Sequence, residues 1–559
     1  PVRLTVLDGS DALDQVTTSV IYLREPVEQP LVTVLAWPLD DAPWRRAGGV
    51  YAPGVGAAVA AGSRLDRILL AAEAHPDLPL TYLPGPHLLE DLADRADGFA
   101  RVEGTGEPEG VPAEDPEAIG SARFLDRMLA RLQAALLDPV AAAYADTDIA
   151  ALNQAPDSLD GEAASAVARG RMRLADVAGR VPEPSTYWAS TALDTSTLDV
   201  LVNQAATDRV LLPFDQLGYE GELDAYPDDL PGPLVRLATP SGRRLLALVP
   251  DPYVDRTLRE PDEDHGPIVA AQRVLAETAV LWTELPLTPR PLVLMPPPGW
   301  DPPGRFGRLL LDGVVAAPWL QPGAPSDLDV LAVGRDESVG LPVAAGSLSD
   351  AFLRSILTAR RELAAVQEAL PDTGGLIAGR SVDELELQLL RAPSAWFVPG
   401  GAGRALVDDV LRSVDAAYGV VDVAEGARIT LTSDSGHIPV TLQRPAGGPL
   451  RVLLSIEGAG AERANLAWPE GRVKAVTLPG TGAQTYSFAV RARSTGSFGV
   501  TVRVTDPAGV RELAQGQVTI RSTAISGPAL GGTAIVVALL LVVGFARRRP
   551  DRPRLEVVG

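Results

Sequence analysis

Carboxylates gather at the ends of short apolar runs in this chain, and the densest group is YADTDIAAL (144–152), where Asp146 and Asp148 stand two apart. Side chains alternate between faces along a strand. One aspartate of such a pair could therefore aim inward while the other caps a helix starting near Ile149. Asp215 closes the run RVLLPFD (209–215), and Asp251 lies in RLLALVPDP (244–252). Two carboxylates facing each other across a cleft are the apparatus of glycoside hydrolysis, one as general acid and the other as nucleophile or base. On that reading Asp146, Asp148, Asp215 and Asp251 are the candidate catalytic residues.

The same runs carry aromatic residues: Trp37 and Asp40 in LVTVLAWPLD (31–40), Tyr82 in LPLTYLPGP (78–86), Tyr144, Trp188 and Asp194 in STYWASTALD (185–194), Trp300 and Asp301 in RPLVLMPPPGWD (290–301), and Trp319 in GVVAAPWL (313–320). Indole faces interleaved with acids suit sugar rings, whose C–H faces stack while their hydroxyls hydrogen-bond. These nine residues are the candidate ligand-binding set. Metal and cofactor chemistry is not expected. His75, His87, His265 and His437 are far apart, no HxxxH or HExxH element occurs, there is no cysteine, and His87 reads as a helix-start residue. No nucleophile elbow, P-loop or placed dinucleotide fingerprint is present.

Strand runs separated by helix-period segments from Leu31 to about Leu320 predict a parallel (β/α) barrel of seven or eight strands. A barrel gathers its strand ends on one face. Helices fit between the runs: Ala271, Val274, Leu275, Leu281 and Trp282 share a face, and Thr197, Leu198, Leu201 and Val202 begin a helix that Asp194 or Ser196 would cap. Residues 326–420 form a helical bridging segment, clearest over 350–370, where Phe352, Ile356, Leu363 and Val366 keep helical spacing. From 421 to 522 the period changes to two, with Tyr486, Phe488, Val490 and Ala492, then the turn RSTG, then Phe498, Val500, Val502 and Val504, which predicts an Ig-like β-sandwich. Residues 1–30 read as the end of a truncated N-terminal β-domain, with strands at 2–7 and 16–23 around DGSDALD. The expected fold class is thus α/β plus all-β.

Residues 524–546 carry no charge and end against Arg547, Arg548 and Arg549, with Arg552 and Arg554 beyond. That length spans a bilayer core of about 30 Å, so the sequence predicts one transmembrane helix, a basic cytoplasmic tail (547–559) and an extracytoplasmic bulk. A net charge of −23 argues against nucleic acid as a partner. A chain of 559 residues exceeds one core, and the absence of cysteine leaves the fold to packing alone.

The segments VLAWPLD, LTYLPGPHLLEDL, AYADTDIAAL, RVLAETAVLW with PLVLMPPPGWDP, APWL, and ITLTSDSGHIPVTL together resemble an uncharacterised actinobacterial family of membrane-anchored envelope proteins. The resemblance covers nearly the whole chain. It implies a gene beside that of the lipid II flippase and a role in peptidoglycan biogenesis, with an envelope glycan or glycolipid, and a membrane-embedded cell-wall protein, as partners. The barrel portion is distantly similar to glycoside hydrolase and polysaccharide deacetylase barrels, but it lacks the paired metal-ligand histidines of the deacetylases. The expected function is a non-catalytic or regulatory glycan-binding factor, with a glycoside hydrolase-like enzyme as the alternative.

Overall fold

The structure is a computed structural model. It describes residues 2–523 except 9, 103–105, 156–158, 220–230, 262–265, 333–337, 345–347, 371–375, 399–400, 425–427 and 459–465. The chain divides into two compact units, residues 1–357 with 386–409, and residues 358–385 with 410–559. The helical stretch expected to bridge the domains is thus shared between both units.

The first unit opens on an antiparallel hairpin, β1 (Val2–Asp8) and β2 (Asp11–Thr18), with a tighter turn than the sequence predicted. Its centre is β3 (Leu31–Leu39), buried along nearly its whole length as a strand covered on both faces must be. Helix α1 (Arg64–Glu73) follows, its N-terminus capped by the Ser63 side chain. Next come β4 (Leu80–Pro84), α2 (Pro86–Ala96), the short pair β5 (Phe99–Arg101) and β6 (Glu109–Val111), and α3 (Pro116–Gln133). Then follow α4 (Ile149–Asn153), α5 (Asp160–Ala178), β7 (Thr186–Trp188), α6 (Thr195–Asp199), β8 (Arg209–Leu211), β9 (Leu234–Ala238) and β10 (Arg244–Leu248). The unit continues through α7 (Pro252–Arg259), α8 (Gly266–Glu284), β11 (Pro291–Leu294), α9 (Phe306–Ala316), β12 (Leu320–Pro322) and β13 (Ser338–Val339).

These strands do not close into the expected parallel barrel. β3 pairs in parallel with β4, β11 and β12, forming one four-stranded sheet. A second sheet has the order β13-β9-β10-β8-β7. Closure fails for an identifiable reason. The chain reaches β10 from β9 through a short turn, Thr239–Arg243 with Gly242 at φ 75°, and so short a connection can join only antiparallel neighbours. With β8 on one edge of β10 and β9 on the other, β10 has no free edge to offer β11. Two half-barrels result. They meet through residues 139–143, expected as a strand but joined to their neighbours by scattered bonds and no ladder: Val140 N–H to Tyr82 O at 2.9 Å, Trp188 N–H to Ala141 O at 3.2 Å and Glu183 N–H to Pro139 O at 2.9 Å. The run GVVAAPWL likewise resolves into the end of α9 and the start of β12, because an apolar stretch of that length fits either element.

The second unit includes a hairpin of β14 (Leu376–Ile377) and β15 (Arg380–Ser381), then two sheets within residues 422–522. The strands there are β16 (Asp422–Val423), β17 (Arg428–Leu431), β18 (Ser435–Arg444), β19 (Leu450–Glu457), β20 (Leu466–Ala467), β21 (Val473–Leu478), β22 (Gly482–Ala492), β23 (Gly496–Thr505) and β24 (Glu512–Ser522). Their orders are β16-β18-β22-β20 and β17-β24-β23-β19-β21, and Phe488, Val490, Phe498, Val500, Val502 and Val504 all lie in the core as the two-residue period requires.

The membrane-spanning reading is corrected. No helix among the described residues is long and apolar enough to cross a membrane, and the proposed span 524–546 and tail 547–559 lie outside those residues.

The crossover between the half-barrels depends on Gly170 of α5. A methyl group there would sit 2.2 Å from the Ala142 carbonyl oxygen and 3.0 Å from the Tyr144 nitrogen. Gly→Ala in a helix interior ordinarily gains about 1 kcal/mol, whereas overpacking against backbone costs typically about 1–3 kcal/mol. Gly170→Ala should therefore lower stability in urea denaturation, and a stabilised variant would contradict this packing.

Candidate functional site

The carboxyl ends of β3, β4, the 139–143 segment and β7 converge on one point. Asp40 follows β3 directly, and His87 stands in the first turn of α2, just past β4. Asp146 lies in a single helical turn, Tyr144–Asp146, after residue 143. One ligand-type atom from each of Asp40, His87 and Asp146 falls within 4.8 Å of the other two, and all three residues are buried, at 1%, 0% and 2% exposure. His87 Nε2 lies 3.7 Å from Asp40 Oδ1. Strand ends are where ligand sites form in α/β folds, because the loops leaving them share one face.

Local backbone holds this cluster at some expense. Ala145 and Asp146 both adopt left-handed conformations, φ 55° and 48°, which cost an L-residue roughly 1–2 kcal/mol each. Asp146 is nevertheless fixed from outside: Ser190 Oγ donates to its Oδ1 at 2.5 Å, and Trp396 Nε1 donates to its Oδ2 at 2.7 Å. Gly85 admits Asp40. A Cβ at that position would lie 2.0 Å from Asp40 Oδ1.

The electrostatics are unbalanced. Neither Asp40 oxygen accepts a hydrogen bond from a donor group among the described residues, nor does His87 Nδ1 have a partner there, and the one side chain that Asp40 can hydrogen-bond is Asp146, through a proton on its own carboxyl. Arg64 binds the Asp40 carbonyl at 2.7 Å and the Asp41 carboxylate at 3.0 Å. Burial, and next the charge of Asp146, push the Asp40 carboxyl well above the ordinary carboxylate range. One helical turn along α2 the acids are matched. Asp91 Oδ1 lies 3.3 Å from Arg391, and its Oδ2 accepts the backbone N–H of Trp44 at 3.0 Å. Tyr144 donates to Glu90 at 2.6 Å and accepts from Arg391 at 2.9 Å.

Of the four candidate catalytic aspartates, only Asp146 joins this cluster, and the structure sets it beside Asp40 from the ligand-binding set. Asp148 caps α4, accepting from Ala151 N–H at 2.9 Å. Asp251 caps α7 through Tyr253 and Val254, and Asp215 is exposed. Asp194 caps α6 in a reciprocal capping box with Thr197. Asp301 is exposed and paired with Arg67. The tryptophans lie in the core: Trp37, Trp188, Trp300 and Trp319 are 0–7% exposed. Trp37 donates to Ile68 O, Trp300 to Leu258 O and Trp319 to Thr278 Oγ1. Tyr82 accepts from Arg131 Nε at 2.6 Å. The sequence places His87 at the strand-end rim, but as a helix-start residue and not as a ligand, and it nominates neither Ser190 nor Trp396. The motif PGPH did carry a signal for His87, since it sets an imidazole in the first helical turn beyond a strand end.

A mixed α/β unit with a buried carboxylate–imidazole cluster at its strand ends is what the fold and site define. The chain belongs to the DUF6049 family, a family of unknown function, which it matches over residues 107–552. No curated protein matches it. Among solved structures, an α-amylase, AmyC from Thermotoga maritima, is 11% identical with a TM-score of 0.44, covering 69% of this chain and 92% of that one. WR4, an MSP family member from C. elegans, is 5% identical with a TM-score of 0.15 over 19% of this chain and 99% of its own. The Calx CBD2 domain is 12% identical with a TM-score of 0.16, covering 21% of this chain and 94% of that one. None of these likenesses is close enough to bear on activity.

A carboxyl raised by the fold binds a proton that the unfolded chain releases above its ordinary pKa of 3.8. The folded state then holds more protons, so this contribution to stability is lost as pH rises from that value through the folded pKa. In chelator-treated protein, Asp40→Asn should gain stability over the parent, by an amount that grows from pH 4 to pH 8. Thermal melts at stepped pH measure it, and a constant difference would contradict the assignment.

Proposed function

We propose that this chain is a non-catalytic or regulatory factor that binds an envelope glycan or glycolipid in cell-wall biogenesis. The observation that supports a non-catalytic role is how the strand-end carboxylates are held. Asp148, Asp194 and Asp251 cap helices, and Asp40 and Asp146 are enclosed, whereas a glycosidase needs two carboxylates presented to a sugar. The envelope setting rests on the motif resemblance to actinobacterial proteins encoded near the lipid II flippase, and the acidic balance favours an uncharged or cationic ligand over nucleic acid. Any sugar contact falls on surface residues, because the rim tryptophans are enclosed by the core.

The test incubates the full chain with peptidoglycan fragments and follows both retention of the fragments and release of reducing ends. Retention without reducing-end release is the expected result. Time-dependent release that Asp146→Asn abolishes would replace this reading with a hydrolase, and failure to retain any fragment would remove the glycan.

A further inference from the structure

We propose that Asp40, His87 and Asp146 form a site for one divalent transition cation of the zinc class, which ties together the loops leaving β3, β4 and the 139–143 segment. In a tetrahedral site with bonds of about 2.1 Å, ligand atoms lie roughly 3.5 Å apart. Donor atoms already within 4.8 Å of one another need only small side-chain rotations to reach that spacing.

Independent observations point to a missing ligand. His87 Nδ1 is buried without a hydrogen-bond partner among the described residues, and the Asp40 oxygens meet no donor group there, their one side-chain partner being the Asp146 carboxylate. Once Asp40 has lost its proton the two neighbouring carboxylates offer acceptors only and repel each other, and a cation then takes the place of the proton between them. The surroundings match the outer shell that orients metal ligands. His87 Nε2 donates to the Asp41 carbonyl oxygen at 2.6 Å, so the nitrogen with a lone pair for a cation is the buried Nδ1 and not the Nε2 that stands 3.7 Å from Asp40 Oδ1. Ser190 and Trp396 hold Asp146 from behind. The left-handed pair at 145–146 and the space left by Gly85 keep both carboxylates at one point. One imidazole and two carboxylates, with no thiolate, select zinc or manganese over copper(I), and the imidazole disfavours calcium and magnesium.

The inference stands apart from the glycan reading, since its readout is metal content and not turnover or retention. Full-length protein is stripped with chelator and titrated calorimetrically with zinc chloride, then melted with zinc and, separately, with magnesium. Saturable binding of one zinc per chain and a rise in melting temperature with zinc alone are expected. Asp40→Asn and Asp146→Asn should abolish binding while the chelated variants keep a cooperative melt. Trp396→Phe, which removes the indole N–H bonded to Asp146 Oδ2, should weaken binding by about 10–100-fold. Absence of saturable zinc binding, or affinity unchanged in Asp40→Asn, would overturn the site. Should the aspartate variants fail to fold, Trp396→Phe decides: unchanged affinity overturns the proposal as well.

Discussion

Two carboxylates buried side by side are the constraint around which the first unit is arranged. Asp40 and Asp146 arrive from different strand ends, and each is delivered by a local choice that would otherwise be unfavourable. The residue before Asp146 and Asp146 itself are left-handed without being glycine, and the residue opposite Asp40 must be glycine. Such strain persists only where the surroundings over-determine it. Here the determinants are the Ser190 and Trp396 hydrogen bonds and the stacking of α5 over residues 142–144, which Gly170 permits.

Asp91 is as enclosed as Asp40 and Glu90 is partly buried beside it, but arginines and a tyrosine meet them. Stripping one partner from such a buried pair typically costs about 3–5 kcal/mol, because the remaining charge stays in low dielectric. Arg391 supplies this role from outside the strand-bearing stretch, so residues 386–409 are an integral part of the first unit and not a linker. Asp40 has no comparable partner, and the chain leaves that charge to a proton or a cation.

Much of this was legible in the sequence, for physical reasons. β3 and β4 announced themselves because strands buried on both faces are continuously apolar, and the buried stripe of Phe352, Ile356, Leu363 and Val366 followed from helical spacing. A cap for α6 at Asp194 or Ser196 followed from their place before a periodic segment, and Asp194 fills it. The strand-end rule nominated both Asp40 and Asp146. What stayed hidden depends on long-range geometry. Spacing cannot reveal which strand ends meet, so Asp148 and Asp251 looked equivalent to Asp146 until their helices claimed them. Trp188 and Trp300 have the composition of a sugar platform and the burial of core residues, and composition carries no burial. β9 escaped notice, and with it the antiparallel edge that keeps the sheet from closing.

The central claim is that Asp40 and Asp146 oppose each other in the metal-free fold. A double-mutant cycle of Asp40→Asn and Asp146→Asn, read from urea unfolding of chelated protein at pH 8, measures that interaction directly. The account predicts an unfavourable coupling between the two native carboxylates, so that the double variant gains less than the sum of the single changes. A coupling of zero, or a favourable one, would contradict it.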